Sequence, residues 1–188
     1  GRDYSHRINV SAQRMDGLIQ DLLSYSRLSR AELRFENVPL SGTVQHAITF
    51  HKEEIQAKKA LIEICEPLPE VFAHSVTLEQ VVGNLISNAL KFTARDRVPS
   101  IRIWSEPNDH GVRLCVRDHG VGIPEQYRER IFKIFERLHG SETYSGTGIG
   151  LAIVKKGAER MGAVVGVDSV VGDGSTFWIQ FPRQNPNL

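Results

Sequence analysis

Cysteine is scarce in this chain: two in 188 residues, Cys65 and Cys115, each alone in an apolar run and neither in a CxxC or Cys/His spacing. That scarcity excludes a disulfide-dense scaffold and a thiolate zinc finger. The thiols read as structural ones in a reducing compartment, with a disulfide as the alternative. Long apolar runs are missing too, since none approaches the roughly 18–20 residues that a membrane-spanning helix needs. Charge of one sign is not in excess: 23 basic against 22 acidic side chains, interspersed, for a net +1. This balance gives no electrostatic basis for binding nucleic acid or an anionic membrane surface. The first residues, Gly1-Arg2-Asp3-Tyr4, are polar and include no initiator Met, so they are not expected to be a signal peptide. The expectation is a cytoplasmic piece of a longer protein whose parent is free to be membrane-anchored. No internal repeat is visible.

What is present is an ordinary globular composition, long enough for one domain and an extra element. Residues 3–30 contain no Pro and one Gly, and Ile8, Met15 and Leu22 recur every seven positions. Ala12 and Ile19 run beside them, and Leu18 and Leu23 widen the stripe. So broad an apolar face predicts a bundle helix, packed on its own domain or on a helix of a missing segment or a second copy. From Ser41-Gly42-Thr43 a second helix is expected through Lys59, and Leu61-Ile62-Glu63-Ile64-Cys65 reads as a strand before a Pro-rich turn. A helix over 76–92 follows, then strands at 101–104 and 112–116 joined by a hairpin loop at 107–111. A short helix is expected over 124–135, and another from residue 148 to about Met161 after a Gly- and Ser-containing segment. Strands at 164–170 and 175–181 close the chain. Mixed helices and strands with adjacent antiparallel pairs predict an α+β fold, a mixed sheet covered by helices on one face, preceded by a long helix. The boundary falls near residue 36, separating 1–36 from 37–188.

Four clusters carry chemistry. In Asn84-Leu85-Ile86-Ser87-Asn88-Ala89-Leu90-Lys91-Phe92, helical spacing puts Asn84, Asn88 and Lys91 on one face, with Val81, Leu85 and Ala89 on another. An Asn carbonyl can give Mg²⁺ one neutral oxygen, and a Lys one turn on can offset phosphate charge. A solvated polar face explains the segment as well. In Val116-Arg117-Asp118-His119-Gly120-Val121-Gly122-Ile123-Pro124, a strand runs into an Asp followed by two glycines. A buried carboxylate there can accept from the exocyclic amine of adenine, where guanine presents a carbonyl. A plain turn with an Asp cap is the alternative. In Gly146-Thr147-Gly148-Ile149-Gly150-Leu151, alternating glycines at a helix start suit a phosphate chain, without the dinucleotide or P-loop spacing. Gly172-Asp173-Gly174-Ser175-Thr176-Phe177 fits a strand hairpin equally well.

Taken in order, the four clusters resemble the N, G1, G2 and terminal glycine boxes of the sensor histidine-kinase ATPase domain. That domain belongs to the superfamily shared with DNA gyrase, Hsp90 and MutL. Ile131-Phe132-Lys133-Ile134-Phe135-Glu136-Arg137-Leu138-His139 resembles its F box. The resemblance covers residues 37–182 and implies a two-layer α/β sandwich of Bergerat type that binds ATP and Mg²⁺. It implies Asn88 as Mg²⁺ ligand with Asn84 in support, Lys91 on phosphate and Phe92 in the adenine pocket. Asp118 would read the adenine amine, with Gly120 and Gly122 giving room for the base and Ile123 beside it. Residues 136–147 would form an ATP lid, with Arg137 and His139 reaching phosphates. Gly146, Thr147, Gly148, Gly150 and Leu151 would line the phosphate chain, and Thr176 would close the base pocket.

Residues 15–27 resemble the second helix of the dimerisation and phosphoacceptor hairpin, two of which make a four-helix bundle in that family. The implied partners are the phosphoacceptor helix of the parent kinase, a response-regulator receiver domain and a second copy of the parent. No catalytic residue of the acceptor kind is expected here: His6 is followed by Arg7, lacks the Arg-Thr-Pro of the acceptor box, and lies inside the second helix. ATP-hydrolysing relatives place a general-base Glu four residues before the Mg²⁺-binding Asn. Asn84 stands there instead, which favours transfer to an imidazole over attack by water. A hydrolase and a docking module that has lost the nucleotide are the rival readings. Two departures from the family remain, Gly157 inside a helix and Ala163 where a second Gly is usual.

Overall fold

The computed structural model describes residues 2–94, 96–138, 144 and 146–183; at residues 2–7, 10, 13 and 14 it describes the backbone alone. The expected long helix is α1, Arg2–Arg30. Next come β1 (Glu36–Pro39), α2 (Leu40–Phe50), α3 (Lys52–Lys58), β2 (Leu61–Cys65), β3 (Glu70–Ala73) and α4 (Ser75–Lys91). The second half holds β4 (Ser100–Asn108), β5 (Gly111–Asp118), α5 (Gly150–Arg160), β6 (Val164–Val170) and β7 (Gly174–Pro182).

The main sheet has the order β2-β4-β5-β7-β6, with β2 parallel to β4 and the other pairs antiparallel. β1 and β3 form a separate antiparallel pair. Alternation along the strands sends Ile101, Ile103, Leu114, Val116, Phe177, Ile179 and Phe181 to one face, where they are buried. Leu78, Val81, Val82, Leu85, Ile86 and Ala89 of α4 recur at three- and four-residue intervals and meet that face, together with Leu40 and Val44 of α2. The result is the expected mixed sheet with helices on one side. His74 caps α4, its side chain accepting from Thr77 N.

α1 docks along α5. Leu18, Tyr25 and Leu28 pack on Ile149 and Ile153, and Arg160 donates to the carbonyls of Ser29 and Ala31. Ile8, Met15, Ile19, Leu22 and Leu23 stay exposed on the rest of the stripe.

Three expectations are corrected. The helix expected through Lys59 is broken at His51, which ends α2 and opens α3; its Nε2 lies 3.1 Å from the Gly83 carbonyl of α4. The helix expected over 124–135 is two 3-10 turns, Glu125–Tyr127 and Arg130–Phe132. Phe135 then takes a left-handed φ of 65°, which no helix can accommodate. The hairpin loop expected at 107–111 is tighter, because Pro107 and Asn108 pair with Val112 and Gly111. β1 and β3 are too short, at four residues each, for any periodicity to have announced them. Gly157, the misfit glycine, has a packing reason. A Cβ there would stand 2.6 Å from Val81 Cγ2 and 3.2 Å from Thr77 Cγ2, so α5 approaches α4 only without one.

Both cysteines are free. Cys115 is buried, which pushes its thiol up to about 12 and leaves it inert as a nucleophile.

Candidate functional site

Between α4, the end of β5, the start of α5 and the start of β7 lies a cavity of about 280 Å³. That is near the lower end of the roughly 300–1,000 Å³ typical of small-molecule sites. Of the residues singled out from sequence, Asn84, Asn88, Lys91, Phe92, Asp118, Gly122, Ile123, Arg137, Gly146, Thr147, Gly148, Gly150 and Leu151 all line it. They come from α4 and the residue after it, the end of β5 and the loop that follows, the loop before α5 and the first turn of α5.

Asp118 is the last residue of β5 and 5% exposed. Its Oδ1 accepts from Gly120 N at 2.8 Å and Ser175 N at 3.2 Å. Burial pushes the carboxyl up to about 6, against the opposing pull of those two amides, His119 and Arg117. At neutral pH it is a desolvated anion at the inner wall of a cavity, where a donor on a ligand is worth more than in water.

α4 brings a cation, Lys91, to the cavity wall, and the Asp21 carboxylate of α1 also lines it. Lys91 is brought down to about 8, first by burial and then by the Arg137 guanidinium. Its Nζ sits 4.7 Å from the Phe92 ring centroid. Gly146 has φ +144, a conformation that L side chains rarely adopt, and its bare Cα lies against the Lys91 ammonium. Asn88 carries the one described side-chain amide that is buried and unpaired, its Nδ2 having no hydrogen-bond partner. A buried amide N–H without a partner costs about 1–3 kcal/mol, and an oxygen atom of a ligand or of water can supply the acceptor. The Asn84 amide is otherwise engaged: its Nδ2 donates to the Gln80 carbonyl at 2.9 Å, leaving Oδ1 turned toward Gly150. Among the described residues no three His, Cys, Asp or Glu side chains converge on a metal position. A divalent ion at Asn88 would therefore draw most of its shell from phosphate and water.

Two expected positions, Thr176 and Gly120, are not on the wall. Thr176 does not line the cavity. β7 pairs Ser175 with Asp118 and Thr176 with Arg117, so alternation sends Thr176 to the opposite face and puts Ser175 and Phe177 on the cavity wall. Gly120 is not on the wall either. A Cβ there would meet the Phe92 carbonyl and Asp118 Oδ1, so its bareness serves backbone packing. Thr147 lines the cavity, but its hydroxyl donates to Asp21 Oδ2 of α1 and accepts from Ile149 N. His139 lies outside the described residues, as do 140–143 and 145 of the expected lid and the side chain of His6. Arg137 is tied to the Tyr144 carbonyl at 2.8 Å.

Sequence reasoning missed Asp21, Ser175, Phe177 and Tyr144, all on the wall. Strand alternation anchored on buried Phe177 would have found Ser175. Nothing local marks Asp21, which arrives by the docking of α1.

Comparison with known proteins adds the family. Residues 73–185 match the model described as histidine kinase-, DNA gyrase B- and HSP90-like ATPase. The chain is 40% identical over 173 residues to the phytochrome-like protein Cph1 of a Synechocystis species, covering 91% of this chain and 23% of that one. It is 32% identical to the sensor histidine kinase GacS of Pseudomonas protegens, covering 94% and 20%. The crystal structure of full-length ShkA in complex with AMPPNP superposes with a TM-score of 0.77 at 30% identity, over all of this chain and 40% of that one. The chain spans less than a quarter of the length of the curated relatives it matches. Among the described residues no helix is long and apolar enough to cross a membrane.

Proposed function

Because the chain belongs to the histidine kinase-, DNA gyrase B- and HSP90-like ATPase family, we propose that it is the Mg·ATP-binding catalytic part of a sensor histidine kinase. In this reading residues 37–188 bind the nucleotide and residues 1–36 belong to the dimerisation hairpin. The γ-phosphoryl passes from ATP to a His on the phosphoacceptor helix of the parent kinase, and from there to an Asp of a response-regulator receiver domain. The observation that carries the reading is the set of groups brought to one cavity. A buried carboxylate, Asp118, an ammonium, Lys91, and an unpaired amide, Asn88, all line it. A ligand with an amine-bearing base and a polyanionic tail finds a partner for each part among them.

Asp118 accepts from the exocyclic amine of adenine, with Phe92, Ile123 and Phe177 against the ring. Lys91 and Arg137 offset phosphate charge, and the glycine loop at 146–150 brings backbone N–H groups to the phosphate chain. Mg²⁺ would be held by the Asn88 amide oxygen, with phosphates and water completing its shell, and its chemistry there is charge neutralisation. Transfer then needs positioning more than covalent help: a neutral imidazole nitrogen bonds to the γ-phosphorus as the bond to the bridging oxygen breaks, and ADP leaves. Asn84 has no basicity with which to activate water, so hydrolysis is not promoted.

Titration calorimetry tests the binding half. Mg·ATP binding is expected in the wild type, with a loss of at least tenfold in Asp118→Asn and in Asn88→Ala, the worth of one charge-assisted or ion-mediated contact. Unchanged affinity in both variants refutes the assignment.

A further inference from the structure

One register row crosses the sheet at the base end of the cavity. Asp118 of β5 stands opposite Ser175 of β7, and Ser175 stands opposite Ser169 of β6, all on the helix-covered face and all buried. Ser169 does not line the cavity. Its hydroxyl nevertheless meets three groups: it accepts from Ile123 N at 2.8 Å, donates to the Gly174 carbonyl at 2.8 Å and lies 2.9 Å from Ser175 Oγ. Its carbonyl accepts from Arg128 Nη2 at 2.5 Å.

The donor count sets the direction of every bond. A hydroxyl has one proton and two lone pairs. The Gly174 carbonyl can only accept and the Ile123 amide can only donate. The Ser169 proton therefore goes to Gly174, and its second lone pair takes the Ser175 proton. Ser169 is saturated, and it grips both the loop after β5, through Ile123, and the β6–β7 hairpin. That hairpin carries Ser175, whose N–H goes to Asp118 Oδ1.

We propose that Ser169 is the positioning residue of the base pocket: from outside the cavity it sets where Ile123 and Ser175 stand and so how the Asp118 carboxylate is presented to adenine. This rests on the reading of Asp118 as the adenine acceptor. Ser169 touches no ligand and acts through Asp118 and Ile123. The charged groups bearing on Asp118 are His119 and Arg117 on its own segment; Arg117 is paired with Asp173 of the hairpin, while Gly120 and Ser175 bring amides.

The experiment compares wild type, Ser169→Ala, Ser169→Thr and Asp118→Asn. Calorimetry measures Mg·ADP and, as a base-free ligand, magnesium tripolyphosphate, from pH 5 to pH 8. Ser169→Ala is expected to weaken ADP about tenfold, the worth of one buried hydrogen bond, and to leave tripolyphosphate unchanged. The acid limb of ADP binding moves to higher pH, because a loosened Ser175 amide no longer holds the Asp118 proton off. Ser169→Thr, which keeps the hydroxyl, restores ADP affinity and the limb. Should the alanine variant fail to fold, Ser169→Cys fills the site with a weak donor and carries the same expectation. Wild-type ADP binding in the folded variant, or an equal loss of ADP and tripolyphosphate, overturns the proposal. If Asp118→Asn binds ADP normally, the Asp118 reading itself has failed. If Asp118→Asn is weak while Ser169→Ala matches wild type, only the role of Ser169 is lost.

Discussion

Two ionisable side chains that line the cavity are held away from their ordinary ranges in opposite senses. Asp118 is pushed up to about 6 and Lys91 brought down to about 8, in both cases chiefly because burial disfavours the charged form. Each must be charged for the proposed contact. Affinity for Mg·ATP is therefore expected to hold between about pH 6 and pH 8, to fall on the acid side as Asp118 takes a proton, and to fall on the alkaline side as Lys91 loses one. Calorimetry across pH 5–9 checks this. Bound phosphate raises the Lys91 value, so binding near pH 8 should take up a proton, read from the dependence of the heat on buffer. Asp118→Asn should remove the acid limb and keep the alkaline one; Lys91→Met should do the reverse. Both residues could be singled out from spacing alone. Their shifted titration could not, because desolvation depends on what the rest of the chain stacks over them.

At the scale of elements, two contacts decide how α5 sits. Gly157 lets α5 close on α4, so the usual gain of about 1 kcal/mol from Gly→Ala in a helix reverses here. Gly157→Ala is expected to destabilise the protein by roughly 1–3 kcal/mol, since Val81 and Thr77 must give way. Thermal unfolding should show a fall of a few degrees. The second contact is between α1 and the glycine loop, where Asp21 accepts from Thr147 and stands on the cavity wall near Lys91. A carboxylate beside a triphosphate repels it. Asp21→Asn keeps an acceptor for Thr147 but removes the charge, and should tighten ATP about three- to tenfold while leaving adenosine unchanged. Weaker or equal ATP binding in that variant would show that Asp21 faces away from the phosphates. The helix and the strands around this site were legible as patterns of 3.6 and 2. The break at His51 and the 3-10 turns at 125–132 were not, since both depend on contacts with segments distant in sequence.

On the scale of the whole molecule, α1 is only half used. Leu18, Tyr25 and Leu28 are spent on α5, and Ile8, Met15, Ile19 and Leu22 remain exposed at bundle spacing. Under the proposed function that stripe meets the phosphoacceptor helix, and the reaction needs both parts. With Mg·ATP this chain alone is expected to form no acid-labile phosphate and to release almost none by hydrolysis. Adding a separately produced hairpin that bears an acceptor His should yield acid-labile phosphate on the hairpin, seen with ATP labelled at the γ position. Steady phosphate release by the chain alone, abolished in Asn84→Ala, would point to a hydrolase instead.

Residue type and spacing along the chain were enough to determine the elements that carry periodic apolar faces, the α+β class, and the order of the polar and glycine clusters, because these follow from the local geometry of helix and strand. Tertiary structure alone decided which side chains reach one cavity. It turned Ser175 inward and Thr176 outward, brought Asp21 from a helix more than a hundred residues away from Thr147, and stacked Asp118, Ser175 and Ser169 in one row. Strand register and helix docking set those positions, and both are settled by burying the core as a whole.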